Sequence, residues 1–117
     1  MRLNEVVFTD AKPVDGYGPG FFRIGGEVFN GPLVVTSTGV ASWGGYDDAD
    51  ALIAMKDKTD VVFIGTGENI AYIPAELRTA LESAGVAFET MASPAACRTF
   101  NVLLSEGRRV ALAILPI

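Results

Sequence analysis

Two short stretches hold the residue types that could bind or react. Gly65-Thr66-Gly67 follows an apolar, β-branched run. Glycine there reads in two ways: as a tight exit turn using positive φ, or as a cradle of backbone N–H groups for an oxyanion or carbonyl. Ser93-Pro94-Ala95-Ala96-Cys97-Arg98-Thr99 reads as a helix start, with free N–H groups and the positive end of the peptide dipoles. The small residues at 95 and 96 would let a ligand approach the backbone. Cys97 also has two readings. Beside Arg98 and near a helix start, its pKa would fall. On the face it shares with Phe100 and Leu104, it is a buried small hydrophobe. Arg98 points about 100° away from Cys97, as a solvated or ion-paired residue or as a clamp for an anion. The candidate ligand-binding set is therefore Gly65, Thr66, Gly67, Ser93, Cys97, Arg98 and Thr99, with no catalytic residue, metal ligand or cofactor assigned.

Much chemistry is excluded by what is missing. The 117-residue chain has no histidine, so no Ser-His-Asp or Cys-His pair can activate a nucleophile. One cysteine and no histidine cannot build a zinc site of the usual ligands, and one cysteine forms no intrachain disulfide. Asp48-Ala49-Asp50 continues as Ala51-Leu52-Ile53, which breaks the EF-hand pattern. A dinucleotide fingerprint needs glycine or alanine where Ile70 stands, and no Gly-Lys pair offers a Walker A loop. A phosphatase-type loop needs arginine where Leu103 stands. An enzyme built on Cys97 or on a carboxylate pair remains as an alternative to no enzymatic activity.

The net charge of −5 and the lack of any basic block exclude a nucleic-acid footprint. The largest basic groups are Arg108-Arg109 and Lys56/Lys58. The first residues, Met1 to Phe8, show neither a signal-peptide nor a transit-peptide pattern, and Val110–Ile117 is too short to span a bilayer. The expected location is cytoplasmic.

The elements that must position these residues follow from hydrophobic spacing. Half of the residues are hydrophobic and 20% charged, which suits one folded domain over residues 1–117. Val6-Val7-Phe8 reads as a short strand. Phe21–Ile24 and Glu27–Phe29, split by Gly25-Gly26, read as a hairpin. Asn30-Gly31 turns into Leu33–Thr36, followed by Gly39–Trp43. The first third is thus an antiparallel meander. Trp43, Tyr17, Phe21, Phe22 and Tyr46 read there as packing residues or as a partner surface. Asp47–Asp50 opens a helix to about Met55, its acids at the positive dipole end. Asp60–Gly65 is a strand buried on both faces. Pro74 starts a second helix at its first position, Leu77, Leu81 and Ala84 share a face, and Gly85 stops it. Val86–Glu89 is a strand. Ser93 caps a third helix with Pro94 at its first position, running to about Ser105. Arg109–Leu115 closes the chain. The second half predicts β–α–β–α–β with parallel pairing and the helices packed on one face.

Phe63-Ile64-Gly65-Thr66-Gly67, Met91 to Leu104 with its Ala-Cys-Arg-Thr-Phe-Asn core, Glu106–Val110, Phe22–Gly26 and Trp43 together carry a resemblance. The chain is similar, over nearly its whole length, to a small, largely uncharacterised family. That family includes a mitochondrial respiratory complex I assembly factor and an adipogenesis-associated protein. The resemblance implies a single-domain, mixed α/β (α+β) fold. Its β-sheet would be partly barrel-like, with about three helices packed on one side. It implies no established enzymatic activity. Relatives often have Asp-Thr where this chain has Ala92-Ser93, and tyrosine where it has Phe100.

The expected function is a non-enzymatic interaction protein, an assembly-factor-like helper for a membrane complex that is not itself membrane-embedded. The alternative is a domain that binds a small anionic ligand through the Gly-Thr-Gly loop and the Ser93 helix start. Short strands leave sheet edges, through which a homo-oligomer would form.

Overall fold

The computed structural model of the protein describes residues 12–117. Its strands are β1 (Val14–Gly18), β2 (Phe21–Ile24), β3 (Glu27–Asn30), β4 (Leu33–Thr36), β5 (Gly39–Ser42), β6 (Val61–Gly65), β7 (Phe88–Met91) and β8 (Val110–Ile114). Its helices are α1 (Ala49–Ile53), α2 (Ala75–Ala84) and α3 (Ser93–Ser105), with a 3-10 turn over Gly45–Asp47 before α1. The class is mixed α/β, as the spacing predicts. The strand expected at Val6-Val7-Phe8 lies outside the described residues.

The strands form two sheets, β1-β2-β3 and β5-β4-β8-β6-β7. Among the described residues neither closes on itself, which corrects the partly barrel-like expectation. The meander divides after β3. Leu33, Val34 and Val35 of β4 are all buried, so this strand needs cover on both faces. It pairs antiparallel with β8, Leu33 opposite Ile114, rather than with β3, which places it inside the large sheet where both faces are covered. β8 is buried at every position and lies at the centre, parallel to β6.

The helices pack on both faces of the large sheet, a second correction. Val34, Val62, Ile64, Ala111 and Ala113 face one way and share a core with Leu52, Leu77 and Leu81 of α1 and α2. Leu33, Val35, Phe63, Leu112 and Ile114 face the other way and share a core with Ala96, Cys97 and Phe100 of α3. Val14, Phe22 and Ile24 of the small sheet complete this second core. The chain order explains the split. From β6 the chain steps outward to β7; from β7 it steps back past β6 to β8. A reversal of direction between right-handed crossovers puts the two helices on opposite faces.

Local signals fix the helix ends. The Asp48 carboxylate accepts from the Ala51 N–H at 3.3 Å and from the Gly44 N–H at 3.1 Å, so the acidic cluster serves a helix start. Gly85 ends α2 in the left-handed region at φ 78°, as a stop glycine should. Pro74 is the residue before α2, not its first position, and α1 ends at Ile53 rather than near Met55. The aromatics divide between the faces: Phe22 in the α3 core, Trp43 in the α1–α2 core with its indole N–H donating to the Asp48 carbonyl at 3.0 Å.

Candidate functional site

β6 and β7 lie side by side and parallel, with Gly65 opposite Met91 at their carboxyl ends. The helices that follow them leave to opposite faces. Such a reversal is where open α/β sheets usually part into a ligand crevice. Gly65-Thr66-Gly67 leaves β6 and Ser93 follows β7 at this point, so the structure brings these four candidate residues together.

They are joined to each other by hydrogen bonds. The Thr66 N–H donates to the Met91 carbonyl at 2.8 Å, and the Ser93 N–H to the Gly67 carbonyl at 2.7 Å. The Gly67 N–H donates to Ser93 Oγ at 2.9 Å, and Ser93 Oγ donates onward to the Leu115 carbonyl at 2.7 Å. The Leu115 N–H returns to the Gly65 carbonyl at 3.0 Å. Ser93 is fully buried, the one polar side chain among the buried residues described. It begins α3, and Ala92 takes the cap position. Its hydroxyl therefore bolts three chain segments together and does not cap its own helix.

Two glycines permit the closure. Gly67 turns at φ 102°, a region that suits glycine. At Gly65 the need is space: a Cβ there would lie 2.7 Å from both Ser93 Oγ and Ile114 Cγ2. Thr66 does the remaining work. Its hydroxyl donates to the Asn69 carbonyl at 2.8 Å and accepts from the Ala71 N–H at 3.1 Å. This staples the following loop, on which Ile70 and Tyr72 stand exposed.

Cys97, Arg98 and Thr99 lie further along α3. Cys97 is 2% exposed in the core, and burial pushes its thiol up to about 12, against a smaller downward pull from Arg98. The thiol is protonated at neutral pH. Arg98 is exposed beside a cavity of about 260 Å³ between α3 and β1. Thr99 Oγ1 contacts Met91 Sδ at 3.5 Å. Asn101, which sequence reasoning left aside, holds β1: its Oδ1 accepts from the Val14 N–H at 2.8 Å and its Nδ2 donates to the Val14 carbonyl at 2.9 Å.

A second missed group lies at the opposite end of the large sheet. A cleft of about 350 Å³ is lined by Thr36–Thr38, Met55, Lys58, Thr59, Leu104 and Gly107–Val110. The sequence signal was there in Lys58 and Arg108-Arg109, but only the fold brings them together. Among the described residues, no group of three or more His, Cys, Asp or Glu side chains could hold a metal ion.

Comparison with known proteins fixes the family. An uncharacterised protein of Rhodobacter capsulatus is 47% identical over 99% of this chain and 94% of its own length. NADH dehydrogenase (ubiquinone) 1 alpha subcomplex assembly factor 3 of Danio rerio is 32% identical over 86% of this chain. The match spans 62% of that relative's length. A solved structure described as an outer membrane protein of Bartonella henselae gives a TM-score of 0.80 at 33% identity, over 93% of this chain and 98% of that one. Over residues 14–115 the chain matches the model of the proteins of unknown function DUF498/DUF598, and it belongs to that family.

Proposed function

We propose that this is a non-enzymatic interaction protein, an assembly-factor-like helper that reaches a membrane complex from the cytoplasmic side. The observation that carries the reading is the loop stapled by Thr66, which displays Tyr72 at 93% and Ile70 at 69% exposure. A side chain left so exposed on a loop held by its own hydrogen bonds suits contact with a partner protein, where aromatic residues are enriched. The name of the Danio rerio relative supports a partner belonging to a respiratory complex, for the part of that relative which this chain spans. No helix among the described residues is long and apolar enough to cross a membrane, which suits a helper that touches such a complex without entering the bilayer.

In this reading the Gly65–Gly67 and Ser93 constellation is a brace for the display loop. A small anion bound there would compete with the bonds that Thr66, Gly67 and Ser93 already make, so this alternative gains no support from the geometry. Affinity capture from native lysate tests the proposal. The wild-type chain should recover one discrete partner. The double variant Ile70→Asp/Tyr72→Asp should lose it while keeping its fold, because exposed substitutions change stability little. Recovery of nothing but the chain itself, under every condition, overturns the reading.

A further inference from the structure

The amino ends of β6 and β8 carry a cleft of different character. Its lining takes Lys58 from the segment after α1, Arg108 and Arg109 from the segment after α3, and Thr36, Ser37 and Thr38 from the β4–β5 turn. Among the described residues that line this cleft, three are basic and none is acidic. In a protein of net charge −5 such a concentration runs against the average.

The hydrogen-bonding inventory is equally one-sided. Arg109 pairs with Asp60 at 2.8 Å, on the rim, through one terminal nitrogen. Among the described residues neither Lys58 nor Arg108 has an ion-pair partner. Thr36 and Thr38 share a bond at 2.9 Å, which leaves one of their two protons available. The Ser37 hydroxyl is exposed at the turn between them. Thr59 Oγ1 gives its proton to the Met55 carbonyl at 3.3 Å. The charged groups that the cleft offers are thus all donors: an ammonium, a guanidinium and the rest of a second guanidinium, with hydroxyls beside them that can also donate. A basic residue after α3 suits the negative end of that helix. That cause does not account for Lys58, which comes from a separate segment.

From this juxtaposition we infer that the cleft binds a ligand with clustered anionic oxygens. Two sources share that chemistry: a small polyanion carrying phosphate or several carboxylates, and a run of acidic side chains on a partner protein. The inference does not depend on the display loop. The cleft lies at the other end of the sheet, and its failure would leave the partner-capture experiment standing.

Backbone amide NMR titration of the full chain tests the inference, with pyrophosphate, citrate and hexaglutamate as separate probes. At least one should give saturable shifts confined to residues 36–38, 58–59 and 107–110. Pyrophosphate or citrate alone would identify a small-molecule site, and hexaglutamate alone a partner's acidic segment. Lys58→Glu/Arg108→Glu should weaken that probe at least tenfold. Arg23→Glu/Arg98→Glu makes the same change in net charge at exposed residues that do not line the cleft, and should leave the affinity within about twofold. Circular dichroism confirms that both variants keep the fold. No saturable shift with any of the three probes overturns the inference. So does equal weakening by the two double variants, which would reduce the effect to overall charge.

Discussion

The two ends of the large sheet make an instructive contrast. Each carries polar groups that, read singly, could hold an anion. At the carboxyl ends of β6 and β7 the N–H groups of Thr66, Gly67 and Ser93 all have acceptors within the chain. At the amino ends of β6 and β8, the side chains of Lys58 and Arg108 have no ion-pair partner among the described residues. The first end has the motif and the second has the capacity. A donor already paired with a neighbouring strand stabilises the fold; one left facing a cleft is available to something else. Motif reading finds the former more readily, because closure requires glycines and hydroxyls at fixed places. Free charge requires no pattern at all.

That contrast can be broken most directly at Gly65. Gly65→Ala would drive a methyl into Ile114 and Ser93, and should cost about 3 kcal/mol by overpacking, seen as a lower denaturant midpoint at unchanged slope. A loss below about 0.5 kcal/mol, inside the range of surface substitutions, would show that the closed end is loose after all. Next comes Ser93→Ala. It strands the Gly67 N–H and the Leu115 carbonyl in a buried place, and should cost about 2 kcal/mol. Hydrogen exchange at Gly67 should accelerate in step.

The last effect is confined to alkaline pH. The Cys97 thiol is held above its usual 9, so its contribution to stability is complete below pH 9 and declines as pH rises toward about 12. The wild type should therefore lose up to about 1.4 kcal/mol per pH unit more than Cys97→Ala across that window. Parallel stability curves would mean that the thiol is hydrated.

Particular residues show how far the chain could be read unaided. Val61–Gly65, Gly85 and the Gly25-Gly26 hairpin were legible because each signal is local: a β-branched run, a left-handed stop, a two-residue turn. The sheet partners were not. Leu33–Thr36 looks like one more strand of a meander, yet it pairs with β8, whose sequence lies far along the chain. Helices on one side was a similar error, since it takes the order β7-β6-β8 to see the reversal. At Ser93 the hydroxyl before Pro94 suggested a cap; the amide it meets belongs to Gly67, which no helix rule brings into view. The cleft failed for the same reason. Arg108-Arg109 and Lys58 were visible, but as scattered cations they argued only against nucleic acid.

Asn101 and Cys97 together have a practical corollary. The carboxamide grips Val14, and the chain's single thiol lies in the wall that β1 and α3 share. At 2% exposure the sulfur meets a thiol reagent when its surroundings open. The labelling rate therefore reports on opening of the structure around Cys97, and a sequence without a second cysteine keeps that signal unambiguous.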